Sequence, residues 1–277
     1  MKVQPAAFLR TTLPLGVDMI EQYDSGRYHS IWLPDHMVSF WPDTIWTPEF
    51  TDLATTSHSP HRHLDAMVVA GAAAVLSRNV PIATSVVDTV RRHPAMLAQA
   101  SLTVDHLSKG RFILGVGSGE TENTVPYGFD FHKPVSRFEE ALKVIKLLWE
   151  SEGTVDFEGE FFRLEHARMD TELYDGKCPK IWVGCSGPRM LDIAGRYADG
   201  WWPSGAWRPE EYADKLEAAG TLAFDVDLLP DRIGFNINAM LWLTTPSTRP
   251  PKILTNRIRI PATASPFTNL DEPSIAP

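Results

Sequence analysis

The chain has 277 residues, 43% of them hydrophobic and 22% charged, with a formal net charge of −9. This is an ordinary globular mix, long enough for one large domain or two small ones, and its acidic balance gives nucleic-acid binding no electrostatic support. No apolar run approaches the roughly 20 residues needed to cross a bilayer, and the N-terminal run is too short and too proline-broken for a signal peptide.

Strand and helix signals alternate along the chain. Residues 3–9 and 30–34 read as strands, the second ending in Asp35–His36. Residues 66–77 are small, apolar and helical in length, and 80–87 are β-branched and strand-like. A helix starts with Pro94 at its first position and stops at Gly110, with Leu97, Ala100, Val104 and Leu107 at helical spacing. Strand 112–117 follows. Helix 136–150 carries Ser136 and Glu139 as a capping box and an apolar face of Phe138, Ala141, Leu142, Ile145 and Leu148. Residues 154–164 read as an inserted hairpin. Strand 181–185, a helix led by Pro188, strand 200–203, helix 208–220 and strand 233–243 complete the series. Seven strands alternating with helices imply a parallel sheet covered by helices. Polar residues at nearly every strand end favour a (β/α)8 barrel over an open doubly wound sheet.

From Thr244 the pattern ends. Seven prolines interrupt residues 244–277, so an extended, poorly packed tail is expected there. Cys178 and Cys185 make neither a disulfide framework nor a zinc motif, which fits a reducing cytoplasm.

Several strand ends carry chemistry. "RFILGVGSGETEN", residues 111–123, resembles a dinucleotide-binding loop, but Glu120 stands where the third glycine of G-x-G-x-x-G belongs. Its glycines permit close backbone approach to a flat ligand, and Glu120 falls where barrel active sites lie. Asp35–His36 is either a helix cap beside a surface histidine or a positioned acid–base pair. Ser186 and Gly187 precede a helix N-terminus, suited to a polar ligand edge or simply to a cap. Arg91 and Arg92 could meet a ligand phosphate. His58, His61 and His63 raise a metal-dependent barrel hydrolase as a rival, although no strand precedes them and no metal is expected. Trp41, Trp46, Trp201, Trp202 and Trp207 fall in loops or strand ends, as an aromatic wall or as core.

Together "SIWLPDHM", "RRHPAMLAQASLTVDHLSKGRFILGVGSGETEN", "RFEEALKVIKLLWE", "VDFEGEFFRL" and "IWVGCSGPRMLDIAGRYADGWW" resemble the luciferase-like monooxygenase superfamily, over residues 1–243. Within it they look like the branch using the deazaflavin coenzyme F420, and most like the mycobacterial phthiodiolone ketoreductases, which act on long-chain wax lipids. The resemblance implies an α/β TIM barrel and hydride exchange between F420 and an apolar ketone or alcohol, with FMN as the alternative cofactor. It implies catalytic roles for His36 and Glu120, the latter with a carboxyl pKa raised by an apolar site. It implies coenzyme contacts from Asp35, Thr84, Ser85, Gly117, Asn123, Ser186, Gly187, Arg189 and Met190. A non-proline cis peptide is implied at Thr84–Ser85, and a homodimer by the habit of relatives. Relatives continue with a helix, an eighth strand and a closing helix. The expectation is therefore a barrel domain, 1–243, left incomplete by a frameshift or truncation, then the tail, 244–277. An inactive remnant is the accompanying alternative.

Overall fold

The computed structural model describes residues 6–12 and 19–203. The expectations for helix 208–220, strand 233–243, Trp207 and the tail 244–277 lie outside the described residues.

Six parallel strands run in chain order across one curled sheet. They are β1 (Ala6–Phe8), β2 (Ser30–Leu33), β3 (Ile82–Thr84), β5 (Phe112–Gly117), β8 (Lys180–Cys185) and β9 (Gly200–Pro203). A short seventh, β4 (Val87–Asp88), pairs with the end of β5 through Val87–Val116 and Asp88–Gly117. The expected strand 80–87 is therefore two pieces, separated by Ser85 and Val86, whose connecting peptide is cis. That bond lies one residue beyond the expected Thr84–Ser85.

Helices α2 (Ala66–Leu76), α3 (Pro94–Ser108), α4 (Pro134–Glu150) and α5 (Pro188–Tyr197) cover the outside, after a single-turn α1 (Ile20–Tyr23). The strand–helix alternation with neighbouring parallel strands is the architecture of a (β/α) barrel, here a partial one among the described residues. The hairpin of β6 (Thr154–Glu158) and β7 (Arg163–Arg168) stands outside it as an antiparallel pair. No helix of the described residues is long and apolar enough to cross a membrane.

Period-two alternation divides each strand between two cores. Ile31 and Leu33 of β2, and Phe112, Leu114 and Val116 of β5, point outward and pack under the helices. Trp32, Ala83, Ile113 and Trp202 point inward. Trp32 stacks on Trp202 with centroids 4.0 Å apart, and Trp182 lies 5.2 Å from Trp32, so aromatic rings plug the barrel interior. Trp201, by contrast, belongs to the outer core and donates through Nε1 to the Cys185 carbonyl at 2.9 Å.

Local sequence explains the helix limits. Asp65 caps α2 by accepting from the Met67 and Val68 amides at 2.9 and 3.1 Å. His93 caps α3, and the chain leaves that helix through left-handed Lys109 and Gly110. Helix α4 starts two residues before the expected capping box, because Pro134 takes its first turn. Ser136 and Glu139 are consequently inside the helix and meet Arg189 and Arg196 of α5 instead. The apolar face of α4 is fully realised: Phe138, Ala141, Leu142, Val144 and Ile145 are all 0% exposed. Each large side chain there contributes roughly 1.5–3 kcal/mol by burial.

Candidate functional site

A cavity of about 430 Å³ opens at the carboxyl ends of the strands. That is large enough for a small organic ligand. Val86 fills its floor. A Cβ on Gly117 would come 2.8 Å from Val86 Cγ2, and one on Gly184 2.9 Å from Val86 Cγ1. The floor therefore requires glycine on both flanking strands. Gly119 turns the chain at φ +90, a conformation that L side chains rarely adopt, and this bend delivers Glu120 to the cavity wall.

Glu120, His36 and Asn123 meet at the rim. His36 Nδ1 lies 3.2 Å from Glu120 Oε2. Asn123 Nδ2 donates to the same oxygen at 2.8 Å and stands 3.3 Å from His36 Nδ1. Asn123 is 1% exposed, and its Oδ1 accepts from the backbone amides of Met37 at 2.7 Å and Val38 at 2.9 Å. One amide thus staples the loop after β2 to the loop after β5 and holds both ionisable side chains in register.

The charge state of Glu120 differs from expectation. Burial alone would raise its pKa. The hydrogen bond and charge of His36, the hydrogen bond from Asn123 and the charge of Arg91 outweigh burial, and the net direction is downward. Glu120 is consequently an anion that holds a cationic or donating partner, rather than a carboxylic acid waiting to donate.

Asp35 lies on the cavity wall but is committed to protein partners. Its side chain is 2% exposed, and its oxygens pair with Arg91 at 2.8 Å and Arg92 at 2.9 Å. Arg92 also reaches Asp65, the α2 cap, at 2.9 Å, while Arg91 Nε pairs with Asp88. The two arginines, which could meet a ligand phosphate, are paired here with three aspartates.

Ser85, Gly117, Ser186, Gly187 and Met190 also lie on the cavity wall. Ser85 Oγ is buried without a hydrogen-bond partner in the structure. Ser85 thus borders the cavity as a residue, while its hydroxyl is buried beneath the wall and unpaired. Two expected contacts are displaced. Thr84 Oγ1 donates to the Gly115 carbonyl at 2.7 Å, between strands. Arg189 is 60% exposed and pairs with Ser136 and Glu139 on α4.

Of the tryptophans, Trp202 reaches the cavity, and Phe40 joins it from the loop after β2. Trp41 and Trp46 lie in that loop outside the cavity wall. Trp41 packs 5.2 Å from Phe50, and Trp46 donates to the Ser57 carbonyl.

The histidine cluster does not make a metal site, and among the described residues no group of His, Cys, Asp and Glu is placed to hold an ion. His61 accepts from the Ser39 amide at 3.1 Å and faces Asp43 at 3.4 Å. His63 packs 5.5 Å from the His36 ring, and burial pushes its pKa down to about 4. Cys185 also lines the cavity, with a thiol pushed up to about 12 by burial, so it is not a nucleophile.

Asp88 is a wall residue that the sequence reading did not single out. The available signal was one aspartate at the end of each of β2 and β4, Asp35 and Asp88, with a double arginine close behind.

A partial parallel barrel with paired ionisable side chains, His36 and Glu120, beside an apolar-floored cavity at its strand ends defines a small-molecule site of the barrel-enzyme class. A family model described as "Luciferase-like monooxygenase" matches residues 11–223, and the chain belongs to that family. It is 38% identical over 228 residues to a "Phthiodiolone/phenolphthiodiolone dimycocerosates ketoreductase" of Mycobacterium sp. (strain JLS), covering 81% of this chain and 60% of the relative. The chain thus spans less than two thirds of that relative's length. It is 38% identical over 152 residues to an "F420-dependent glucose-6-phosphate dehydrogenase" of Nakamurella multipartita, covering 53% of this chain and 43% of that one. Among solved structures, an "F420-dependent secondary alcohol dehydrogenase in complex with an F420-acetone adduct" superposes with a TM-score of 0.61 at 24% identity. That match covers 80% of this chain and 67% of the solved one, and it bears on the fold alone.

Proposed function

We propose that the chain is an F420-dependent oxidoreductase that interconverts an apolar ketone and its alcohol. The observation that carries this reading is the His36–Glu120–Asn123 constellation on the wall of the cavity at the strand ends. The names of the ketoreductase and dehydrogenase relatives support the cofactor and the reaction class. Bound in the cavity, a deazaflavin would supply or accept the hydride. Ser85, Val86, Gly117 and the Ser186–Gly187 turn would hold its ring.

His36 manages the proton. Glu120 Oε2, 3.2 Å from Nδ1, can orient the His36 ring by a hydrogen bond and leave Nε2 to exchange a proton with the ketone or alcohol oxygen. Glu120 is the charge partner in this arrangement. Phe8, Phe40 and Trp202 supply apolar wall, which suits a lipid-like substrate.

The test is titration with F420 followed by fluorescence, comparing wild type with Glu120→Gln and His36→Ala. Binding retained with reduction lost supports the roles, whereas a wild type that does not bind F420 overturns the reading. The family match keeps one rival, an FMN monooxygenase, which the second visible band of a bound flavin would reveal.

The cytoplasm is the proposed compartment, in keeping with two free cysteines. A homodimer is proposed through the outer faces of α2 and α3, where Val68, Val75, Met96 and Leu107 are exposed on packed neighbouring helices. Light scattering on Val68→Glu should then report a monomer.

A further inference from the structure

Arg91 occupies a position that ion pairing alone does not explain. Its guanidinium is 8% exposed and lies on the cavity wall. Nη2 donates both to the Asp35 carboxylate and to the Asp35 backbone carbonyl, each at 2.8 Å. That carbonyl belongs to the peptide that leads into His36. Nε pairs with Asp88, whose Oδ1 accepts from the Val90 amide at 2.9 Å and the Arg91 amide at 2.7 Å. The far end of the guanidinium is therefore anchored to a rigid turn after β4, and the near end grips the chain one residue before the proton-handling histidine.

Arg92 makes a useful contrast. It holds both Asp35 oxygens, Oδ1 through Nη2 at 2.9 Å and Oδ2 through Nε at 3.2 Å, and also Asp65, and so ties the same aspartate to the N-terminus of α2. It touches neither the Asp35 carbonyl nor Asp88 among the described contacts. If Arg91 is removed, Asp35 keeps one cationic partner and need not be expelled from its buried place. What is lost is the fork that fixes the Asp35–His36 peptide. A lysine keeps the charge at position 91, but a single ammonium cannot reproduce a planar fork spanning Asp88, the Asp35 carboxylate and the Asp35 carbonyl.

We propose that Arg91 is a positioning residue of the acid–base pair: it locks the Asp35–His36 turn against the end of β4 and puts a positive charge on the cavity wall that it shares with Glu120. The catalytic half of this inference rests on the hydride-transfer reading, and the electrostatic half does not. The charged and titratable groups around Glu120 are few. His36 faces it from the loop after β2, with His63 behind that ring. Arg91 lines the same cavity from the turn after β4, paired with Asp88 and Asp35. Cys185 lines the cavity from β8. Arg91 is the arginine in that set, and its charge acts in the direction that keeps Glu120 ionised.

The experiment compares wild type with Arg91→Lys and Arg91→Met, with Arg92→Met as the control and thermal unfolding to exclude misfolding. The Glu120 carboxyl is titrated by carbon NMR in the cofactor-free protein, assigned with Glu120→Gln. The expected result is a Glu120 pKa that rises in Arg91→Met, rises less in Arg91→Lys and is unmoved in Arg92→Met. In turnover, Arg91→Lys should lose about 10²-fold in kcat with KM for F420 near wild type, the scale expected when a reacting group is misplaced by about 1 Å. An unmoved Glu120 titration in Arg91→Met overturns the inference, and so does wild-type kcat in Arg91→Lys. If wild type itself fails to bind F420, the hydride-transfer reading falls and the NMR titration still decides the electrostatic role of Arg91.

Discussion

Replacing Asn123 tests whether one buried amide really joins the loops after β2 and β5. Asn123→Ala removes the acceptor of two backbone amides, those of Met37 and Val38, and the donor that Glu120 shares with His36. A buried group left without its partner costs about 1–3 kcal/mol. The Met37 end of the staple is partly exposed, so the lower end applies to each amide, and about 2–3 kcal/mol is expected in all. For a folded unit of this size, that lowers the melting temperature by roughly 4–12 °C. Asn123→Asp separates stability from electrostatics. It keeps the acceptor for both amides, so it should melt closer to wild type than the alanine variant does. It also places a second carboxylate beside Glu120, which raises the Glu120 pKa and should depress turnover at neutral pH. Thermal unfolding by circular dichroism and carbon NMR of the Glu120 carboxyl measure the two effects. An Asn123→Ala variant that melts within 1 °C of wild type would refute the staple, and a Glu120 titration unmoved in Asn123→Asp would refute the coupling.

His63 gives a pH dependence with a definite sign. Its folded pKa of about 4 lies below the ordinary 6.5, so the unfolded chain takes up the proton first. Its contribution is full above pH 6.5 and is lost as pH falls toward 4, by up to about 3 kcal/mol; urea unfolding of wild type and His63→Leu at pH 7.5 and 4.5 should show a smaller loss in the variant. Gly117→Ala pushes a methyl to within 2.8 Å of Val86, and it should destabilise by about 1–3 kcal/mol and weaken F420 binding, read by fluorescence titration. Asp65→Ala removes the α2 cap and one Arg92 partner, and it should cost about 1–2 kcal/mol by urea unfolding while F420 affinity stays at wild type.

Strands and helices were legible because most boundaries rest on local chemistry. Pro94 and Pro188 start helices where the sequence places them, and period-two alternation in β2 and β5 sorts residues between the inner and outer cores. The misreadings share a cause: a second local signal competed with the one noticed. The capping box at Ser136 is real as a pattern, but Pro134 and left-handed Lys133 begin the helix earlier. Leu107 keeps helical spacing yet is 44% exposed, because α3 turns Leu102 and Val104 inward instead.

The site was legible at the level of residue types and obscure at the level of charge. Glu120, His36 and Asn123 stand out because strand ends carry polar groups there, and a failed glycine fingerprint drew attention to Glu120. Whether Glu120 is an acid or an anion depends on groups 84 residues or so away along the chain, and no spacing rule connects position 36 to position 120. An apolar setting argues for a raised pKa, whereas the folded neighbourhood lowers it. The same holds for Asp35, which looks like a ligand contact in isolation and is the centre of a two-arginine clamp in the fold. The glycines of the loop follow the opposite logic. Gly117 is needed because Val86 is there and Gly119 because the chain turns, and with that turn Glu120 reaches the wall where His36 and Asn123 fix its charge.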